Sequence, residues 1–172
     1  MEASSSAAVG KPSAFHTIVF GGLTIGILDF LDASIFFPLY YGITFQQVWF
    51  GPASGIFGRD AAREGGWNTA ILGIVLHFVV ATCIATVYFL FARSIPFLIK
   101  HPIVSGIIFG VIANYVMQCV VLPLSARHSS PTGVFSEPIG SMMNSIIGHA
   151  LLVGLPVALI AAWSAKRNRG LT

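Results

Sequence analysis

Four uninterrupted apolar stretches constrain this chain more than any other feature of its sequence. They run over roughly 15–37, 69–92, 102–122 and 139–163. Each is long enough for a tilted helix to cross a hydrocarbon core about 30 Å thick at about 1.5 Å per residue. Only 9% of the 172 residues are charged, against 55% hydrophobic, and mean hydropathy is +0.84. A soluble domain is about one quarter charged, so this composition cannot clothe a water-facing surface. It excludes an ordinary soluble enzyme. It also excludes a nucleic-acid-binding module, because the Lys and Arg residues form no run that could track a phosphate backbone. The sequence predicts an all-α integral membrane protein, four transmembrane helices in a bundle, with the lipid bilayer as its first partner.

Pro38, Pro96, Pro102 and Pro123 stand near the ends of the runs, where helices stop or start. Pro156 lies inside the fourth, a kink whose freed carbonyl needs a neighbour. The first run is too long for a cleaved signal, carries Asp29 and Asp32, and has only Lys11 ahead of it, so it reads as a retained span. Residues 1–13 read as a disordered tail, 14–165 as the membrane domain and 166–172 as a basic tail. Segment 44–58, TFQQVWFGPASGIFG, is apolar but too short to span. It is an outer interfacial helix or a re-entrant segment buried in protein. The stretch 124–137 reads as a flexible outer loop.

Lys11, Arg93, Lys100, Lys166, Arg167 and Arg169 fall on one side of the four runs. Arg59, Arg63 and Arg127 fall on the other, beside Asp60, Glu64 and Glu137. The positive-inside rule therefore places both termini in the cytoplasm. Trp163 near the inner boundary, and Tyr40, Tyr41, Trp49 and Trp67 near the outer one, match interfacial aromatic belts. Cys83 and Cys119 lie within apolar runs without companions at ligand spacing, and read as small packing residues.

The chain also reads as two parallel helix hairpins. Shifting the first run by 85 residues lays Gly21 on Gly106, Ile27 on Ile112, Asp29 on Asn114, Phe30 on Tyr115 and Pro38 on Pro123. The second and fourth runs align with a shift of 72, which lays His77 on His149. The first and third runs cross in one direction, so a pseudo-twofold would lie along the membrane normal. Gly22–Gly26, Gly106–Gly110 and Ala150–Gly154 are small-xxx-small pairs that permit close helix approach.

Ionisable groups inside a span cost at least a few kcal/mol unless partnered. Counting inward from the outer ends places Asp29, Asp32, His77, Asn114, Gln118 and His149 in one band about 6–15 Å deep. Asp29 and Asp32 are spaced i,i+3, Asn114 and Gln118 i,i+4, so each pair projects from one side of its helix. The band therefore predicts a polar cluster on the bundle axis. Five readings stay open, one of them a site for a quinone or a lipid headgroup. It is a hydrogen-bond network that fixes helix register in a structural or accessory subunit. It is a pathway for a proton, ion or small solute, with Asp29 or Asp32 taking up the charge and His77 and His149 relaying it. It holds a b-type haem between His77 and His149 for electron transfer, or a metal on two His and one or two Asp. Motifs of soluble catalysis are absent, and Ser145 with His149 at i,i+4 reads as packing rather than as a nucleophile and base.

LGIVLHF (Leu72–Phe78), VVLPLSA (Val120–Ala126) and IGHALLVGLP (Ile147–Pro156) resemble strings of small, uncharacterised four-span bacterial inner-membrane proteins. The resemblance implies a bacterial cytoplasmic membrane and a small stand-alone protein, and brings no activity, ligand or catalytic residue. A bundle this small leaves little room for a private pathway, which points to a homo-oligomer or a larger membrane complex. The orientation is directly testable. Green fluorescent protein fused after Thr172 is expected to fluoresce, and alkaline phosphatase fused after Gly58 to be active; the reverse pattern would put the termini outside.

Overall fold

The computed structural model of the chain describes residues 10–130 and 137–169. Its helices, in chain order, are α1 (Phe15–Tyr41), α2 (Phe45–Phe57), α3 (Arg59–Glu64), α4 (Gly66–Ser94), α5 (Pro96–Lys100), α6 (Pro102–Leu124) and α7 (Ile139–Asn168). Four of these, α1, α4, α6 and α7, are long and apolar enough to cross a membrane. The protein is thus an all-α membrane bundle of four spanning helices. The spans extend past the apolar runs; α1 passes Pro38 and stops at Gly42, whose φ of 67° is left-handed and whose N–H donates to the Pro38 carbonyl at 3.0 Å.

The side chains are sorted as lipid requires. On α1, Val19, Leu23, Ile27, Leu31 and Ile35 recur every fourth residue and are all exposed. Ile71, Val75, Val79 and Val87 do the same on α4, and Cys83 lies on that outward stripe rather than in the packing. The interior is instead small, built on Ala81, Ala85, Ala158, Ala161 and Ala165 around Ile25, Tyr88 and Val157. Large side chains gain nothing by leaving lipid for protein, so close packing of small ones holds the helices together.

α1 lies between α4 and α7, and α7 between α1 and α6. Tyr88 of α4 closes the ring against α6, edge-on to Phe109 with centroids 4.9 Å apart and its hydroxyl 3.2 Å from Ser105 Oγ. On the side of the termini, Ser13 N–H donates to Ser164 Oγ at 3.1 Å and Asn168 Nδ2 to the Lys11 carbonyl at 3.2 Å, so residues 11–13 are tied to α7. Residues 1–9 and 170–172 of the expected tails, and 131–136 of the expected outer loop, lie outside the described residues.

Segment 44–58 forms a capped helix packed across the N-terminal part of α4. Thr44 Oγ1 accepts from Gln47 N–H and Gln47 Oε1 accepts from Thr44 N–H, a reciprocal capping box. Gly73 makes the crossing possible, because a Cβ there would run into the Trp49 carbonyl. The opposite edge of α2 is tied down where Ala126 N–H donates to the Gly55 carbonyl at 2.9 Å. Next to it Arg127 is half-buried, and burial pushes its guanidinium pKa down; Arg59 adds to the shift and Glu137 opposes it.

The two hairpins pack alike. Gly22 and Gly26 of α1 lie against Thr82 and Phe78 of α4; Gly106 and Gly110 of α6 lie against Gly154 and Ala150 of α7. This pairing puts Gly22 with Gly106, one residue out of step with the frame that pairs Pro38 with Pro123. The extra residue is visible as a π-helical turn at Met117–Val121, between Gly110 and Pro123. The π-turn of α1 lies earlier, at Phe15–Phe20, and another at His149–Gly154 of α7 comes just before Pro156. A wider turn ahead of a proline relieves the clash between its ring and the preceding carbonyls.

Adding a side chain at a tight glycine contact between α6 and α7 is expected to be costly. Gly110→Val should destabilise the bundle by about 2–3 kcal/mol through overpacking, because its Cβ would enter the α7 backbone at His149 and Ala150. Gly51→Ala, where a Cβ meets nothing within 4 Å, should be neutral or slightly stabilising. Unfolding in detergent checks both.

Candidate functional site

The half of the bundle away from the termini holds the six side chains selected from the sequence, and they separate into distinct groups. Asp29 faces α4 and Asp32 faces α7, because an i,i+3 step turns about 60° around a helix and α1 lies between those two neighbours.

The first group is Asp29 with His77. His77 Nε2 is 2.9 Å from the Gly26 carbonyl, reached because Gly26 has no side chain to hold α4 away. A carbonyl only accepts, so Nε2 carries the proton of that bond. The other ring nitrogen, Nδ1, lies 3.8 Å from Asp29 Oδ2, with the two side chains only 12% and 24% exposed. A bare Nδ1 and a carboxylate are both acceptors and repel; a proton on either partner turns the contact attractive. The gap exceeds a direct hydrogen bond of about 3 Å, so closing it takes a small side-chain shift or one bridging water.

Aromatic rings enclose this pair. Trp49 of α2 sits edge-on to His77 at 5.2 Å and stacks on Phe30 of α1 at 4.6 Å, while Phe78 packs edge-on to His77 at 5.3 Å. Trp49 is 1% exposed and its Nε1 has no partner among the described residues. It is therefore not the outer-belt residue expected from its position. Tyr40, Tyr41, Trp67 and Trp163 are exposed at the ends of the spans.

The second group joins α6 to α7. Ser145 Oγ donates to Asn114 Oδ1 at 2.5 Å and lies 3.5 Å from Gln118 Nε2. His149 Nδ1 is 3.0 Å from the Ser145 carbonyl of its own helix, which makes Nδ1 the donor. Asn114 is fully buried, and its Nδ2 finds no partner among the described residues. Asp32 belongs to neither group: its Oδ2 accepts from Asn144 Nδ2 at 2.9 Å, linking α1 to α7.

Sequence reading missed Asn144 and took Ser145 only as a packing residue. Their signal was a neutral polar pair within an apolar run, a turn ahead of His149. The expected equivalence of Asp29 with Asn114 also shifts, since the glycine contacts set Asn114 opposite Phe30.

Neither histidine group presents a ready cofactor cradle. For a haem held on both imidazoles, His77 would have to give up Nε2 from its carbonyl bond or turn Nδ1 away from Asp29. Among the described residues, no three His, Cys, Asp or Glu side chains converge to hold a metal ion.

No family model, curated protein or solved structure matches the chain. The site is therefore read from its own geometry. Ser145→Ala should cost about 1 kcal/mol in detergent unfolding, because it leaves the buried Asn114 carbonyl oxygen unpartnered. Met143→Leu, on the exposed side of the same helix, serves as the control and should stay within about 0.5 kcal/mol.

Proposed function

We propose that the protein carries protons, or a small solute coupled to them, across a bacterial cytoplasmic membrane, with both termini inside. Asp29 and His77 form the proton-bearing pair. One observation carries this reading: His77 Nε2 is committed to the Gly26 carbonyl, so its remaining nitrogen, 3.8 Å from Asp29, is favourable only with a proton between them. Such a pair takes up or gives away one proton without moving a helix. In a span that is the default signature of a relay.

The pair sits above an apolar plug. Ile25, Ala81, Tyr88 and Val157 fill the bundle on the side of the termini. A proton held at Asp29 therefore reaches the other side only after α1 and α4 rearrange, or along a path shared with neighbouring copies. This favours a homo-oligomer or a larger membrane complex. Asn114, Gln118 and Ser145 tie α6 to α7, His149 bonds within its own helix, and the proton work falls to the first hairpin.

A second reading has its own support. The α6–α7 network joins Asn114 and Gln118 of one helix to Ser145 of the other, as a packing device in an accessory subunit would. Proteoliposomes loaded with a pH-sensitive dye separate the two. Wild-type protein is expected to dissipate an imposed pH gradient, and Asp29→Asn or His77→Gln to slow it about 100-fold, the scale of losing a proton-transfer group, with unchanged gel filtration. Wild-type rates in both variants would remove the relay. Vesicles no leakier than protein-free controls would favour the accessory subunit.

A further inference from the structure

Beside the α1–α7 contact lies a groove of about 410 Å³ lined by Asp32, Ile35, Phe36, Leu39 and Tyr40. It is shallow and widely open rather than enclosed, and its lining comes from α1. The lining recurs at i, i+3, i+4, i+7 and i+8, a single face of α1. Small residues on α7 make room for it: Gly140 lies under the Tyr40 ring, where a Cβ would collide, and Gly148 lies beside Asp32.

Asp32 gives the groove its chemistry. It stands about 14 Å from the end of α1 at Tyr41, nine residues at about 1.5 Å each. Its described hydrogen bond is the one from Asn144, a neutral donor, and no Lys, Arg or His lies within 4 Å of it among the described residues. A carboxylate at this depth is expensive unless protonated or paired with a cation. Everything else along the face is apolar or aromatic. Phe36 and Tyr40 stack with centroids 5.0 Å apart and planes 15° apart, and Leu39 is 83% exposed at the lip.

We infer that this groove binds a lipophilic organic cation, its charge on the Asp32 carboxylate and its apolar body along Ile35, Phe36, Leu39 and Tyr40. A metal ion does not suit it, because one carboxylate in an apolar face supplies too few oxygen ligands. A second copy of the chain offers no fixed cation for it: the described Lys and Arg residues lie at the ends of the spans or in the connections, and none is at the depth of Asp32. A cation with an apolar body partitions into the bilayer and meets the open side of the groove from the lipid. The aromatic pair adds cation–π attraction. The site is separate from Asp29–His77 and stands whether or not that pair moves protons.

Equilibrium dialysis of tetraphenylphosphonium against the purified full chain in nanodiscs tests the inference. Saturable binding is expected, weakened at least about 10-fold by Asp32→Asn, the loss of a desolvated charge partner. Glu64→Gln, outside the spans, should stay within about 2-fold. Leu39→Trp fills the groove from its exposed lip and should also weaken binding with Asp32 intact, which keeps the test valid if Asp32→Asn fails to fold. Uncharged triphenylphosphine oxide should not compete. Unchanged affinity in Asp32→Asn or Leu39→Trp, equal competition by the uncharged analogue, or no binding above empty nanodiscs would overturn it.

Discussion

The bundle depends on backbone brought against backbone where glycines leave no side chain between. In lipid the apolar surface of one helix gains little by meeting another, so helices associate where close approach yields packing and hydrogen bonds. At Gly26 the Phe78 ring occupies the space a Cβ would need, and His77 reaches the Gly26 carbonyl. At Gly106, Gly110 and Gly154 the backbones of α6 and α7 meet directly, and at Gly73 the backbone of α2 lies on α4. The same contacts that fix the helices also fix the tautomer of His77 and hence what its free nitrogen can do beside Asp29.

The two hairpins share this construction and differ in chemistry. The first has an acid against its histidine. The second has Asn114 and Ser145 bonded to each other and a histidine turned onto its own helix. The π-turn of α6 comes after Asn114, so Asn114 keeps the frame of the glycine contacts and corresponds to Phe30 rather than to Asp29. Two similar halves with unequal polar centres suit a division of labour: one half that exchanges a proton, and one that holds the bundle while it does so.

Much of the fold was legible because membrane insertion is decided by hydropathy along the chain, which needs no knowledge of contacts. The four spans follow from that alone. The arrangement of the polar band did not, since counting residues from a boundary gives depth but not direction around the helix. Asp29 and Asp32 share a depth and face different helices. Trp49 shows a similar limit: tryptophan near an outer boundary suggests a belt, but α2 folds back on Gly73 and buries the ring against Phe30 and His77. Cys83 sits in an apolar run, yet the period of four on α4 puts it outward, and a windowed hydropathy cannot resolve that. Asn144 escaped notice because single neutral amides in spans are common and carry no charge to explain.

The protonation of His77 tests the account's centre most directly. Solid-state nitrogen NMR of the ring-labelled protein in bilayers reads both nitrogens across a pH series. The account predicts that Nε2 stays protonated and hydrogen-bonded throughout. It predicts that Nδ1 alone gains and loses a proton, and that its signal moves when Asp29 becomes Asn. A protonated Nδ1 with a bare Nε2, or a His77 spectrum indifferent to Asp29→Asn, would contradict it.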